Sequence, residues 1–227
     1  MKEESCSINK KSCQTVNNDG SINLAEHWCA AYTNVDITKS GWYETESKPM
    51  LELIAKTGIA ENASVLTLGA GATTLIDSLT DLNYTNLIVN DISSFALGNI
   101  KTRIGEKAKD IQFITDDIIQ PTELNKIEKV DCWIDRAVLH FFTTTKDQQA
   151  YFKLLNDKVK SGGFVLLAEF NLQGAKKCSG LDVKRYDAHM LQEALGADYQ
   201  LKESFDYKYT MPSGRDRMYV YTLFQRK

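Results

Sequence analysis

The chain lacks several features that define whole classes of protein. Its five cysteines, Cys6, Cys13, Cys29, Cys132 and Cys178, form an odd set with no Cys-x-x-Cys pair. That argues against a disulfide framework and a zinc knuckle, and for a reducing compartment. No apolar run reaches the roughly eighteen residues of a membrane span, and the polar opening Met-Lys-Glu-Glu contains no signal-peptide core. A soluble, cytoplasmic protein is expected. Basic charge is not in excess either: 27 Lys and Arg stand against 30 Asp and Glu, with a pI near 5.7. A broad basic footprint for nucleic acid or an anionic membrane is therefore not expected. Two nucleotide signatures are incomplete. A dinucleotide fingerprint requires a third glycine where Thr74 stands, and a mononucleotide P-loop requires a Gly-Lys-Ser/Thr that is missing.

What is present fits one ordinary globular domain: 227 residues, 43% hydrophobic and 25% charged. Residues 1–22 are polar and read as a loose tail, leaving residues 23–227 as the folded domain. Residues 23–60 form an aromatic cap, with His27, Trp28, Tyr32, Trp42 and Tyr43 close together. These rings either pack against the core or form the lid of a ligand pocket. Pro49 opens a helical period that ends at Thr57-Gly58 and is expected to cover the edge of the sheet.

Beyond it, strands at 64–68, 86–90, 111–114, 130–134 and 163–169 alternate with helices at 72–81, 94–105 and 146–159. This is the pattern of an α/β, doubly wound and mostly parallel sheet whose strands are covered on both faces. A helix to about Leu195 follows, then strands Tyr199–Lys208 and Met218–Phe224 joined through Met211-Pro212-Ser213-Gly214. No helix intervenes, so these two strands are antiparallel and the seven-stranded sheet ends in a C-terminal hairpin.

The most informative stretch is Val65-Leu66-Thr67-Leu68-Gly69-Ala70-Gly71-Ala72-Thr73-Thr74-Leu75, with Asp91 twenty residues beyond Gly71. An apolar strand leads into a glycine turn, the turn opens a helix, and the next strand ends in a carboxylate placed to grip a ribose diol. Backbone amides of the turn are expected to clasp the ligand, with glycine at 69 and 71 keeping side chains out of its way.

Taken together, these motifs resemble those of class I, seven-stranded S-adenosylmethionine-dependent methyltransferases over about Leu24 to Phe224. Among these the chain is similar to small bacterial single-domain enzymes carrying His27-Trp28…Tyr32, Gly41-Trp42-Tyr43 and Asp135-Arg136-Ala137-Val138-Leu139-His140-Phe141. The resemblance implies S-adenosylmethionine as cofactor. Gly69, Ala70 and Gly71 would line its methionine part, and Thr74 is a further candidate cofactor-binding residue. Asp91 would bind the ribose diol and Asp117 with Ile118 would meet the adenine, with Ile92 and Asp135 as further candidate cofactor-binding residues. The sequence departs from the family at Thr67, where an acid commonly helps hold the cofactor's amino group.

A sulfonium makes the transferred methyl electrophilic, so alignment and exclusion of water matter more than covalent machinery. Trp28, Tyr32 and Trp42 suit that cation, each cation–π contact being worth about 0.5–2 kcal/mol. Asp135, Arg136 and His140 follow the fourth strand at the sheet's carboxyl edge and are the candidates for the acceptor side. His140 is either a proton acceptor or a local structural hydrogen-bonder. Arg136 either binds an acceptor carboxylate or pairs internally with Asp135 or Glu169. The long segment from Glu169 to Tyr186 is expected to close over the acceptor, with Cys178 an unreactive loop residue. No metal site is expected.

The leading functional expectation is methylation of a small molecule, without nucleic-acid or membrane partners. A protein lysine methyltransferase and a non-catalytic dinucleotide-binding module are the alternatives. A deep cavity closed by residues 170–186 would disfavour the first of these.

Overall fold

The computed structural model of the chain describes residues 22–33 and 35–227. The expected tail therefore falls outside the described residues, apart from Ile22. Helix α1 (Leu24–Tyr32) starts at Asn23, whose side chain accepts the Glu26 N–H and so caps a free amide. Helix α2 (Lys48–Thr57) carries Pro49 in its first turn, where no intrahelical N–H is needed, and stops at Gly58 in a left-handed conformation.

The α/β body follows as β1 (Ser64–Leu68), α3 (Leu75–Asp81), β2 (Asn86–Asp91), α4 (Ser94–Ile104), β3 (Gln112–Thr115), β4 (Val130–Arg136), α5 (Thr145–Lys158) and β5 (Val159–Phe170). A short hairpin, β6 (Lys177–Cys178) and β7 (Leu181–Asp182), precedes α6 (Ala188–Leu195), β8 (Tyr199–Thr210) and β9 (Asp216–Arg226).

Seven strands form one sheet in the order β3-β2-β1-β4-β5-β9-β8. The first five are parallel, and β9 runs antiparallel to both β5 and β8. The chain thus reaches the edge with β8 and returns through β9 to fill the place beside β5.

Side-chain alternation explains the continuous apolar runs. Trp133, Val165 and Leu167 face α5 and α6, whereas Ile134, Leu166 and Ala168 face the layer of α2, α3 and α4. Three expectations need correction. Helix α2 lies over β5 and β9 inside the sheet rather than covering its edge, because Met50, Leu53 and Ile54 bury against that face. Helix α3 begins at Leu75 rather than residue 72, because Thr73 Oγ1 accepts the Leu75 N–H and the turn after β1 continues that far. Strand β5 begins at Val159, not residue 163. Its Gly163 lets the chain pass where a Cβ would meet Lys160 O at 3.0 Å and Asp131 O at 3.1 Å.

Candidate active site

At the carboxyl edge of β1, β2 and β4 lies a cavity of about 310 Å³, near the lower end of ordinary ligand-site volumes. Its floor is the turn after β1. Gly69 (φ 48°) and Gly71 (φ 53°) both adopt the left-handed region. A Cβ on Gly69 would lie 2.2 Å from Val138 Cγ2, and one on Gly71 would lie 2.3 Å from the Tyr32 hydroxyl oxygen. The glycines thus admit two walls of the cavity as well as a ligand.

The amides of this turn are engaged differently from expectation. Ala70 N–H donates to Asn90 O at 2.8 Å, and Gly71 N–H donates to Asp91 Oδ2 at 2.7 Å. Asp91 Oδ1 also accepts from Ser93 N–H at 2.8 Å. The turn is therefore tied to the end of β2, and Asp91 is the group left facing the cavity. Burial pushes its carboxyl up to about 6, against the lowering effect of the amides from Ser93 and Gly71.

Most of the sequence-derived set converges on this cavity. The cap contributes Trp28, Tyr32 and Trp42, and the turn contributes Gly69, Ala70 and Gly71. Asp91 and Ile92 line it after β2, and Asp117 and Ile118 line it after β3. The two readings of the cap rings prove compatible. Trp28 packs edge-on against Trp42 at 5.7 Å and Phe141 at 5.1 Å, while these same rings form part of the wall. Asn90 fixes the adjoining β3 end by donating to Ile114 O and Asp116 O. Asp116 in turn is occupied by the amides of Thr122 and Leu124.

Four of the sequence-derived residues are placed otherwise. Thr74 does not line the cavity, because its hydroxyl turns to donate to Glu44 O at 3.2 Å. Asp135 is fully buried. It accepts the amides of Val138 (2.9 Å) and Leu139 (3.1 Å) and the Tyr151 hydroxyl (2.7 Å), so it shapes the turn after β4 and does not line the cavity. That turn puts Ala137 at φ 66°, an uncommon conformation for a residue with a side chain, against the cavity.

His140 is also fully buried, with Nδ1 3.0 Å from Glu169 Oε2. Burial lowers its pKa to about 3, leaving a neutral ring away from the cavity. Arg136 does reach the wall, but its partner is neither Asp135 nor Glu169. Nη2 pairs with Glu44 Oε1 at 2.7 Å, Nη1 donates to Trp42 O at 3.2 Å, and the guanidinium lies 5.1 Å from the Tyr219 ring centre.

The segment after β5 folds back as the β6–β7 hairpin and sets Cys178 and Ser179 in the wall. Burial raises the Cys178 thiol to about 11, so it is protonated and a poor nucleophile at neutral pH. Ser179 takes φ 50° beside Gly180 at φ 82°, the paired left-handed residues of a tight hairpin. Lys184 N–H to His140 O (2.8 Å) and Tyr186 N–H to Phe170 O (2.9 Å) pin the return.

Sequence reasoning missed Glu44, Arg215 in the turn before β9 and Arg217 in β9, all on the cavity wall. Their only sequence signal was proximity to the Gly-Trp-Tyr turn or to the hairpin turn.

Two polar atoms test whether the wall suits the cofactor inferred from sequence. Thr67 Oγ1 and Trp42 Nε1 are buried without a hydrogen-bond partner, and both residues line the cavity. A hydroxyl able to accept from an ammonium, an indole N–H able to donate to a carboxylate and a carboxylate at the diol position match the polar groups of S-adenosylmethionine.

No protein-family profile matches the sequence, and no curated protein does. Solved structures do match in shape. A SAM-dependent methyltransferase from Anabaena variabilis aligns with TM-score 0.74 at 14% identity, over 91% of this chain and 96% of that one. The N-methyltransferase NodS from Bradyrhizobium japonicum, in complex with S-adenosyl-L-homocysteine, aligns with TM-score 0.67 at 15% identity over 90% and 98%. The 1,6-didemethyltoxoflavin-N1-methyltransferase of Burkholderia thailandensis aligns with TM-score 0.64 at 14% identity over 90% and 87%. The chain has the class I methyltransferase fold.

Proposed function

We propose that this protein transfers the methyl group of S-adenosylmethionine to a small-molecule acceptor. The observation that carries the reading is the convergence of Asp91, the unpartnered Thr67 Oγ1 and Trp42 Nε1, and the glycine turn on one cavity. When bound, the cofactor supplies an electrophilic methyl on a sulfonium whose leaving group is a neutral thioether. Asp91 accepts the ribose hydroxyls, and Asp117 with Ile118 borders the adenine. Thr67 Oγ1 accepts from the ammonium, and Trp42 Nε1, beside the Tyr32 hydroxyl above Gly71, donates to the methionine carboxylate.

On this reading Asp135, Arg136 and His140 are positioning residues. Asp135 holds the Ala137–Val138 wall, the His140 backbone N–H donates to Glu169 Oε2, and Arg136 anchors the cap through Glu44 and Trp42. None of the three histidines His27, His140 and His189 lines the cavity, so rate enhancement rests on alignment and exclusion of water rather than an imidazole base.

Closure of the wall by the β6–β7 hairpin favours a small acceptor over a protein side chain, and the antiparallel β9 favours this donor over a dinucleotide. Calorimetric titration with S-adenosylhomocysteine tests the proposal: binding in the micromolar range supports it. Absence of binding at millimolar ligand, or unchanged affinity in Asp91→Ala, would remove it.

A further inference from the structure

The cavity is electrically divided, and the strand order divides it. On the side of β2 and β3 its charged lining consists of the carboxylates Asp91, Asp116 and Asp117. On the side of β4 and β9 it includes Arg136, Arg215 and Arg217, and the cap adds Glu44 and Lys39, the latter paired with Asp36 at 3.1 Å. Glu44 and Arg136 neutralise each other at 2.7 Å. Arg215 and Arg217 form no ion pair among the described residues, although Lys208 and Thr210 nearby hold the intervening Asp216.

Arg217 is half-buried, and its guanidinium lies 5.7 Å from the centre of the Phe170 ring. Tyr219 and Met211 continue the apolar wall beside it. A half-desolvated guanidinium with no internal anion, seated on an aromatic ring at the mouth of an apolar cavity, is a recognition group for a planar oxyanion. Its register places it correctly for that task. Tyr219 pairs with Phe170 at the carboxyl end of β5, and Arg217 stands two residues earlier in β9, beyond that end and on the same side of the strand.

We propose that the acceptor is a small carboxylic acid with an apolar or aromatic body, its carboxylate held by Arg217 with Arg215 at the rim and its body lying over Phe170 and Tyr219. This rests on the methyl-transfer reading and adds the acceptor class to it. Arg136, the arginine first suspected of this role from sequence, is already committed to Glu44 and the cap.

The test uses the full chain saturated with S-adenosylhomocysteine and three matched probe pairs: salicylate and salicylamide, anthranilate and anthranilamide, indole-3-acetate and indole-3-acetamide. Calorimetry is expected to show at least one acid binding about tenfold more tightly than its amide, the scale of a single charge-assisted contact. Arg217→Met, which keeps bulk and removes charge, is expected to bring the pair within about twofold. Arg217→Lys should retain part of the preference, and S-adenosylhomocysteine affinity should be unchanged in both variants.

Equal binding of acids and amides, persistence of the preference in Arg217→Met, or failure of every acid to bind at millimolar concentration overturns the inference. A wild-type protein that fails to bind S-adenosylhomocysteine overturns the underlying reading instead, so the two failures are distinguishable.

Discussion

A methyl group added to either glycine of the turn after β1 meets an obstacle that would be part of the site. At Gly71 the obstacle is the Tyr32 hydroxyl, and φ is 53°. Gly71→Ala therefore combines about 1–2 kcal/mol of left-handed strain with displacement of Tyr32 from the wall. The expected result is a folded protein of lower Tm whose S-adenosylhomocysteine affinity falls at least tenfold, about 1.4 kcal/mol. Unchanged affinity would show that Tyr32 and the turn are not part of the donor site.

Asp91 gives a second test at the same scale. Its ionised form accepts the diol and its free-state pKa is raised to about 6, so protonation competes with binding. Affinity should be flat above pH 7 and fall toward about tenfold per unit as pH drops below 6. Asp91→Asn should bind weakly with no such dependence, and a wild-type profile flat from pH 5 to 8 would contradict the assignment.

Among the elements, the cap is joined to the sheet by a few polar contacts between residues distant in sequence. Arg136 at the end of β4 holds Glu44 and Trp42 O, Tyr209 of β8 donates its hydroxyl to Tyr43 O, and Thr74 donates to Glu44 O. Arg136 and Glu44 are nearly buried, with side-chain exposures of 15% and 8%. Removing either partner alone leaves an uncompensated charge, at a cost of about 3–5 kcal/mol. Arg136→Met and Glu44→Gln should each lower stability and loosen amide exchange in α1. The double variant should recover much of the loss, and strictly additive effects would deny the coupling.

This joint also marks where sequence reading stopped. Strand and helix periods along 64–224 and the glycine turn with Asp91 were legible, because each is a local pattern. The pairing of Arg136 with Glu44, ninety-two positions away, was not, nor was the return of β9 between β5 and β8. Both depend on which distant segment fills a space. The acid at Asp135 drew attention as a reacting group because it ends a strand at the ligand edge. Only the direction of its carboxylate, into the amides of Val138 and Leu139, reassigns it to the scaffold.

Across the molecule, the face of the sheet covered by α5 and α6 conceals a concentration of buried acid. Asp135 and Glu169 are both fully buried, and burial raises both carboxyls, Glu169 to about 8. Asp135 accepts three hydrogen bonds, whereas Glu169 accepts the His140 N–H at Oε2 (3.2 Å) and its Oε1 has no donor to accept from. The charge is therefore better solvated on Asp135, and the proton belongs on Glu169.

The sign of the consequence is definite. A carboxyl whose folded pKa lies above the ordinary 4.5 stabilises the fold fully below 4.5 and loses that contribution as pH rises through about 8. His140, lowered to about 3, acts oppositely in the acid range, where its unfolded form takes up a proton that the folded form refuses. Wild-type stability alone therefore mixes two trends, but substitution separates them. Glu169→Gln mimics the protonated side chain, so it should melt close to wild type at pH 5 and above it at pH 8.5, by about 2–4 °C for each kcal/mol recovered. Thermal melts of the two proteins across that range decide the matter: a gap that stays constant with pH would mean that Glu169 is not the group holding the proton.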